Sequence, residues 1–298
     1  MVSKTKQGAE TFNADFHRAV EHIIPREKAE ALIVGGAEPK LEHVFQVRLP
    51  EEALQKAKEY TEAKEALCKK EGKIFYNSDI AAISGLSTSI HKVKLGISSI
   101  PYWSWSAFSS GGEPLPQVTA LSTGALVITC DKELVLQVRS NKVDFAEGML
   151  STPSGFIPAE YLAAGLTLTD ICNECVRKDL SIFTKIWKQP HFMALLSDKS
   201  VSKNNVQALF GVEVDSTSAG IAKHVNSAEH FAKSERLEFV STEIDELSRY
   251  YAENFHRMTP HLKLGILARI YLNYDISWLE NLVNETGKRQ AFRSQQLP

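Results

Sequence analysis

Apolar and polar positions recur along this chain with two different periods, and the mixture predicts both helices and strands. Residues 1–40 carry weak helical spacing at Phe16, Val20, Ile23 and Ile24. Residues 41–49 (LEHVFQVRL) alternate enough to predict a strand. Pro50, Glu51 and Glu52 then open a helix, with a proline at its start and acids in its first turn. Its apolar positions are Ala53, Ala57, Tyr60, Ala63 and Leu67, and Gly72 ends it. Residues 73–110 read as short and β-like, closing on the aromatic group Tyr102, Trp103, Trp105 and Phe108. The Gly/Pro/Ser-rich residues 109–118 mark a boundary.

Beyond it, residues 125–129 and 133–139 predict two strands joined through Asp131 and Lys132. A polar loop, a turn at Pro153-Ser154-Gly155 and a long loop lead to a helix over about residues 169–179. Residues 206–214 and 237–240 predict further strands. Thr242 with Asp245 forms a variant capping box for a helix through Leu247, Tyr250, Tyr251 and Phe255. Thr259-Pro260 opens another, carrying Leu262, Leu264, Ile266, Leu267 and Ile270, and residues 276–283 form the last. The expected class is α/β (α+β), with a helix-and-strand extension over residues 1–116 packing on a main domain over 117–298.

Charge changes this picture by exclusion. Lys plus Arg is 34 against 36 Asp plus Glu, a net charge of −2 that gives no electrostatic case for nucleic acid or an anionic membrane. The first residues lack a signal peptide's apolar core, and no apolar run approaches the roughly 20 residues that span a bilayer, so a cytoplasmic protein is expected. A small molecule is the expected partner, and nothing in the pattern speaks to oligomeric state. Cys172 and Cys175 form a C-x-x-C pair inside a helical pattern, read either as buried reduced side chains or as metal or redox ligands.

Gly124-Ala125-Leu126-Val127-Ile128, residues 134–139, the Gly155 turn, the segment Asn173-Glu174-Cys175-Val176-Arg177-Lys178, and Leu237-Glu238-Phe239-Val240 before Glu246-Leu247 together resemble the Nudix fold. The resemblance covers roughly residues 117–285 and implies a mixed β-sheet sandwiched between helices. The branch that cleaves UDP-sugars is similar in its N-terminal extension, its long loop within the motif, and a run like Thr217-Ser218-Ala219-Gly220. The family motif, G-x5-E-x7-R-E-U-x-E-E-x-G-U, implies a Mg²⁺ site of glutamates three and four apart on one helix face. On this chain Gly155 takes the motif glycine and Glu174 the first clustered glutamate, but the arginine is Asn173, the other two glutamates are Arg177 and Lys178, and the closing glycine is Leu180.

Those exchanges turn an acidic face into one carrying two cations and one acid. Glu174 with Arg177 and Lys178 makes helix pairs worth about 0.2–0.5 kcal/mol each, and two nearby cations oppose a divalent ion. No cofactor is expected, with Mg²⁺ only if a hydrolase reading holds. The face is then either a salt-bridged surface or a fixed-cation site for an anion, to which Arg139 and Lys142 could add. Asp170, four residues before Glu174, shares its face and is the candidate second carboxylate. Asp144, Glu147, Glu160, Glu213 and Asp215 are further acids near the motif, and His191, His224 and His256 read as surface or core residues before acid–base groups. Tyr102, Trp103 and Trp105 are either a strand face against the core or the apolar wall of a ligand pocket.

Three functions follow. One is a metal-independent small-molecule enzyme, with Glu174 and Asp170 in acid–base work and Arg177 and Lys178 stabilising charge. The second is a non-catalytic protein binding a nucleotide-like or anionic ligand. The third is a UDP-sugar-type hydrolase drawing metal ligands from outside the motif.

Overall fold

The computed structural model describes residues 9–43, 51–72, 78–89, 92–110, 119–141, 146–180, 188–200, 205–226 and 234–296. Its first elements are α1 (Ala9–Val20), β1 (Ala29–Val34), β2 (Lys40–His43), α2 (Glu51–Glu71), β3 (Asp79–Ser89), β4 (Lys92–Pro101) and α3 (Tyr102–Ser110). Then come β5 (Thr119–Ile128), β6 (Glu133–Arg139), β7 (Leu150–Ser151), β8 (Ser154–Phe156), α4 (Ala159–Ala163) and α5 (Leu168–Leu180). The chain continues through β9 (His191–Asp198), β10 (Asn205–Glu213), α6 (Ser218–Asn226), β11 (Ser234–Ser241), α7 (Ile244–Asn254), α8 (Pro260–Asn273) and α9 (Ile276–Gln296).

The sheet is mixed and continuous, in the order β1-β9-β10-β5-β3-β4-β2, with β6, β7, β8 and β11 off this path. β5 runs parallel to β10 from Ala120↔Asn205 to Ile128↔Glu213. Its other edge is tiled by three short partners: β3 at Ala120, β8 at residues 122–124, and β6 at Val127 and Ile128. β6 then leaves β5 and pairs with β11 and β7. Strands on both sides of residue 116 thus share one ladder, with β1 bonded to β9 and β3 to β5.

Alternation along β5 divides the core. Leu126 and Ile128 face α1, α7, α8 and α9 with Leu134, Leu209, Leu264 and Leu267, whereas Leu121, Ala125 and Val127 face α5 and α6 with Ile171, Val176 and Ile221. A third cluster joins Tyr102, Trp103 and Trp105 to Ile80, Ala82 and Ile100, with Tyr60 of α2 and Phe156 at its border. The mixed α+β class is therefore as the sequence pattern predicts.

Several local expectations are corrected. The aromatic run is the helix α3, not a strand, because Ser104 and Ser106 are buried as well as the tryptophans and no exposed stripe marks its period. Gly155 lies within β8, opposite Thr123, instead of in an open turn. The long loop contains the short helix α4, and α9 runs on to Gln296. β1 and β9 were not anticipated; both are short, almost wholly buried apolar runs. The strand over 41–49 is seen only as Lys40–His43, and residues 44–49 and 111–118 lie outside the described residues.

α8 crosses β10 closely at Gly265, where an added Cβ would stand 2.8 Å from Leu209 Cδ2. At its N-terminal end the half-buried Lys263 sits with its ammonium 4.2 Å from the Phe255 ring centre. Burial holds that ammonium's pKa down at about 8, against the opposing charge of Asp198. Between about pH 8 and the ordinary lysine pKa near 10.4 the unfolded chain binds the extra proton, so wild-type stability rises with pH there relative to Lys263→Met. Denaturant midpoints measured at pH 7, 9 and 10 check this; parallel curves for the two proteins would contradict it. Elsewhere, the buried Gln207 amide lies flat on Gly124, where a Cβ would meet it at 2.7 Å. Gly124→Ala should cost about 1–3 kcal/mol and couple to Gln207→Ala in a double-mutant cycle, and purely additive urea denaturation energies would contradict that contact.

Candidate functional site

The site is built where β5 and β6 part. β7 and β8 fill the opening, and α5 closes it from outside. α5 begins at a reciprocal cap: the Asp170 N–H donates to Thr167 Oγ1 at 3.1 Å, while the Thr167 N–H and hydroxyl donate to Asp170 Oδ2 at 3.0 and 2.6 Å. These bonds hold the Asp170 carboxyl below its usual pKa range. The Thr169 N–H and hydroxyl donate to Glu38, tying the same turn to the segment after β1. Leu168, Ile171, Cys172, Val176 and Leu180 then bury one stripe of the helix, and burial pushes the Cys172 thiol up to about 12.

The polar stripe divides. Glu174 and Arg177 form an ion pair at 3.6 Å with side chains 43% and 54% exposed, which places both toward solvent. Lys178 turns the other way along the surface, donating to the Tyr161 hydroxyl of α4 with its ammonium 5.2 Å from that ring. Of the acids on α5, Asp179 in the last turn reaches inward. It accepts the Ser154 N–H at 3.0 Å, the Cys175 thiol lies 3.9 Å from the same carboxylate oxygen, and its main-chain carbonyl faces the Gln137 amide at 3.5 Å.

Arg139, at the end of β6, faces this inner group. Burial lowers the pKa of its guanidinium, and Tyr102 and Asp179 act in the opposite direction. Tyr102 stacks edge-on or tilted against Trp103, Trp105 and Phe156, with ring centres 5.1, 5.7 and 5.3 Å away. The predicted residues therefore separate into two sets. Arg139, Tyr102 and Trp105 come together inside the sheet opening, with Trp103 behind them in the core, while Glu174, Asp170, Arg177 and Lys178 lie on the outer side of α5. Lys142 and Asp144 are outside the described residues.

Asp179, Gln137 and Ser154 were not singled out by the sequence pattern. The one available signal was an acid in the last helical turn, where the helix dipole disfavours it and a specific partner is needed. Of the remaining acids, Glu213 is paired with Lys188 at 2.7 Å, and Glu147, Glu160 and Asp215 are exposed. All four cysteines are free thiols.

A divalent ion of the kind the resemblance implies does not fit these side chains. Glu174 is neutralised by Arg177, Asp170 is spent on its cap, and Asp179 serves a backbone N–H beside a guanidinium. Among the described residues no three His, Cys, Asp or Glu side chains converge as a metal site.

No family model matches the chain, and no curated protein matches it. Solved structures similar to it include DR0079 from Deinococcus radiodurans, at 12% identity over 62% of this chain and 96% of that one, with a TM-score of 0.38. A bifunctional NMN adenylyltransferase/ADP ribose pyrophosphatase from Francisella tularensis matches at 13% identity over 54% of this chain and 42% of that one, TM-score 0.36. A NUDIX hydrolase from Nitrosomonas europaea matches at 12% identity over 54% and 81%, TM-score 0.31. Scores this low leave the fold of the chain resting on its own strand order and helices.

The two carboxylates at opposite sides of α5 should respond differently to neutralisation. Asp179→Ala removes an acceptor of a backbone N–H and a charge beside Arg139, and should cost about 1.5–3 kcal/mol. Glu174→Gln breaks an exposed pair and should cost under about 1 kcal/mol. Equal losses in chemical denaturation would contradict the inward placement of Asp179.

Proposed function

We propose that this chain is a Nudix-like protein that binds a small anionic ligand in the opening between β5 and β6, anchored by Arg139, without a divalent metal. The observation that carries this reading is the position of Arg139. Its guanidinium is destabilised by burial, lies beside Tyr102, and has Asp179 as the opposing charge. The planar, fixed charge of a guanidinium suits a phosphate or carboxylate oxygen pair. Half-buried Phe156, backed by the buried Trp105 with ring centres 4.9 Å apart, supplies apolar surface next to it for the rest of the ligand.

Binding is favoured over turnover because the carboxylates suited to acid–base work are engaged elsewhere. Asp170 caps its own helix and Glu174 holds Arg177 at the surface. Arg177 and Lys178 are likewise committed, to Glu174 and Tyr161.

Isothermal titration with ADP-ribose, UDP-glucose and inorganic diphosphate, in EDTA and in Mg²⁺, tests the reading. At least one ligand should bind with the same affinity in both buffers. Arg139→Gln should weaken it about tenfold or more, and Glu174→Gln by no more than about twofold. Release of a monophosphate that requires Mg²⁺ and is abolished by Glu174→Gln would overturn the proposal in favour of a hydrolase. Failure of all three ligands to bind would overturn it as well.

A further inference from the structure

α8 meets the sheet with a second polar group, at the end of the strands away from Arg139. β6 meets β5 only through Leu134 and Val135 and carries Arg139 away from it, whereas Ile128 and Glu213 mark the shared C-terminal end of the parallel pair β5 and β10. α8 lies against β10 with Gly265 over Leu209. One turn later on the same stripe stands Arg269, whose charge interacts with Tyr274 just after α8, with Glu213 at the end of β10 and with His191 at the start of β9.

The strand end is shaped for this. Gly211 pairs with His191 across the ladder, and the imidazole lies on the bare glycine: a Cβ there would stand 2.2 Å from His191 Cε1 and 2.4 Å from Nε2. Glu213 holds Lys188 at 2.7 Å, and Lys132 adds positive charge toward the same carboxylate. Three cations and an imidazole thus surround one acid. The Arg269 guanidinium is partly buried, which lowers its pKa, and it makes no ion pair or hydrogen bond with a described residue. The exposed His191 ring makes none either. A half-buried guanidinium near an accessible imidazole and a lysine, with no side-chain partner among the described residues, has the chemistry of an oxyanion receptor.

We propose that Arg269, His191 and Lys188 form a phosphate-binding site at the C-terminal ends of β5 and β10, separate from the Arg139 opening. Arg269 supplies the paired donors, Lys188 a point charge steadied by Glu213, and the protonated imidazole a third donor. The site rests on its own contacts and does not depend on the ligand assigned to Arg139. Without an anion, burial together with Arg269 and Lys188 keeps the His191 pKa low, with only Glu213 opposing them. A bound phosphate reverses that balance, so binding should strengthen as pH falls through the imidazole range.

The test is a titration of the full chain with inorganic phosphate at constant ionic strength, following the His191 C2–H resonance, identified through His191→Gln. The expected result is a saturable shift and a raised His191 pKa. Arg269→Gln should weaken phosphate about tenfold, and Lys188→Gln several-fold. Gly211→Ala, which evicts the ring from its seat, should weaken it too. Arg18→Gln, at a side chain 82% exposed on α1, should change nothing. Absence of a saturable shift, or equal effects of the Lys188 and Arg18 substitutions, would overturn the site; the Lys188 comparison holds even if Arg269→Gln fails to fold.

Discussion

Every feature of the site depends on the need of β5 to pair both edges of its backbone while buried on both faces. From Ala120 to Ile128 the strand is covered by helices above and below, so no amide along it can turn to water. β10 satisfies one edge throughout. On the other edge no single strand does so, and β3, β8 and β6 divide the length between them. The Ala125 N–H donates to the Pro153 carbonyl and the Ile157 N–H to the Leu121 carbonyl, which draws the segment after β7 tightly against the strand. That segment brings Ser154 to Asp179 and Phe156 to Tyr102, and it leaves β6 free to carry Arg139 away from β5.

The consequence for α5 is a division of labour between its two polar sides. Its apolar stripe fixes the rotation of the helix, and that rotation aims Glu174 and Arg177 at solvent and Asp179 at the sheet opening. In a helix assembling a metal cluster, acids three and four apart would converge on the inner side. Here the inner side holds one acid, already engaged with a backbone N–H and opposed by a guanidinium. On the proposed reading, the fixed positive charge of Arg139, not a bound ion, is what this opening offers to an anion.

Much of the framework was legible in the sequence because its signals are local. Glu51 and Glu52 at the start of α2, and Thr259 before Pro260 in α8, act as the caps and first turns their residue types predict. β6 and the extent of α5 were likewise readable from period and punctuation, whereas β5 begins at Thr119, six residues before the run that predicted it. What escaped has no local period. α3 is buried all round, so its Trp-Ser-Trp alternation imitates a strand, and β9 is a continuous apolar run that fits either element. At the candidate site, Arg139, Tyr102 and Trp105 could be nominated by chemistry, but their meeting with Asp179 requires contacts across about 40 to 80 positions of chain. Motif spacing pointed to Glu174, and only the packing of α5 shows that the inward acid is Asp179.

We propose that α5 organises an anion opening and not a metal cluster. The most direct test is a titration with Mn²⁺, a paramagnetic stand-in for Mg²⁺, read by the relaxation of bulk water. The expected result is no saturable site whose affinity changes when Glu174 is replaced by Gln. A tight, stoichiometric Mn²⁺ site lost in Glu174→Gln would contradict it.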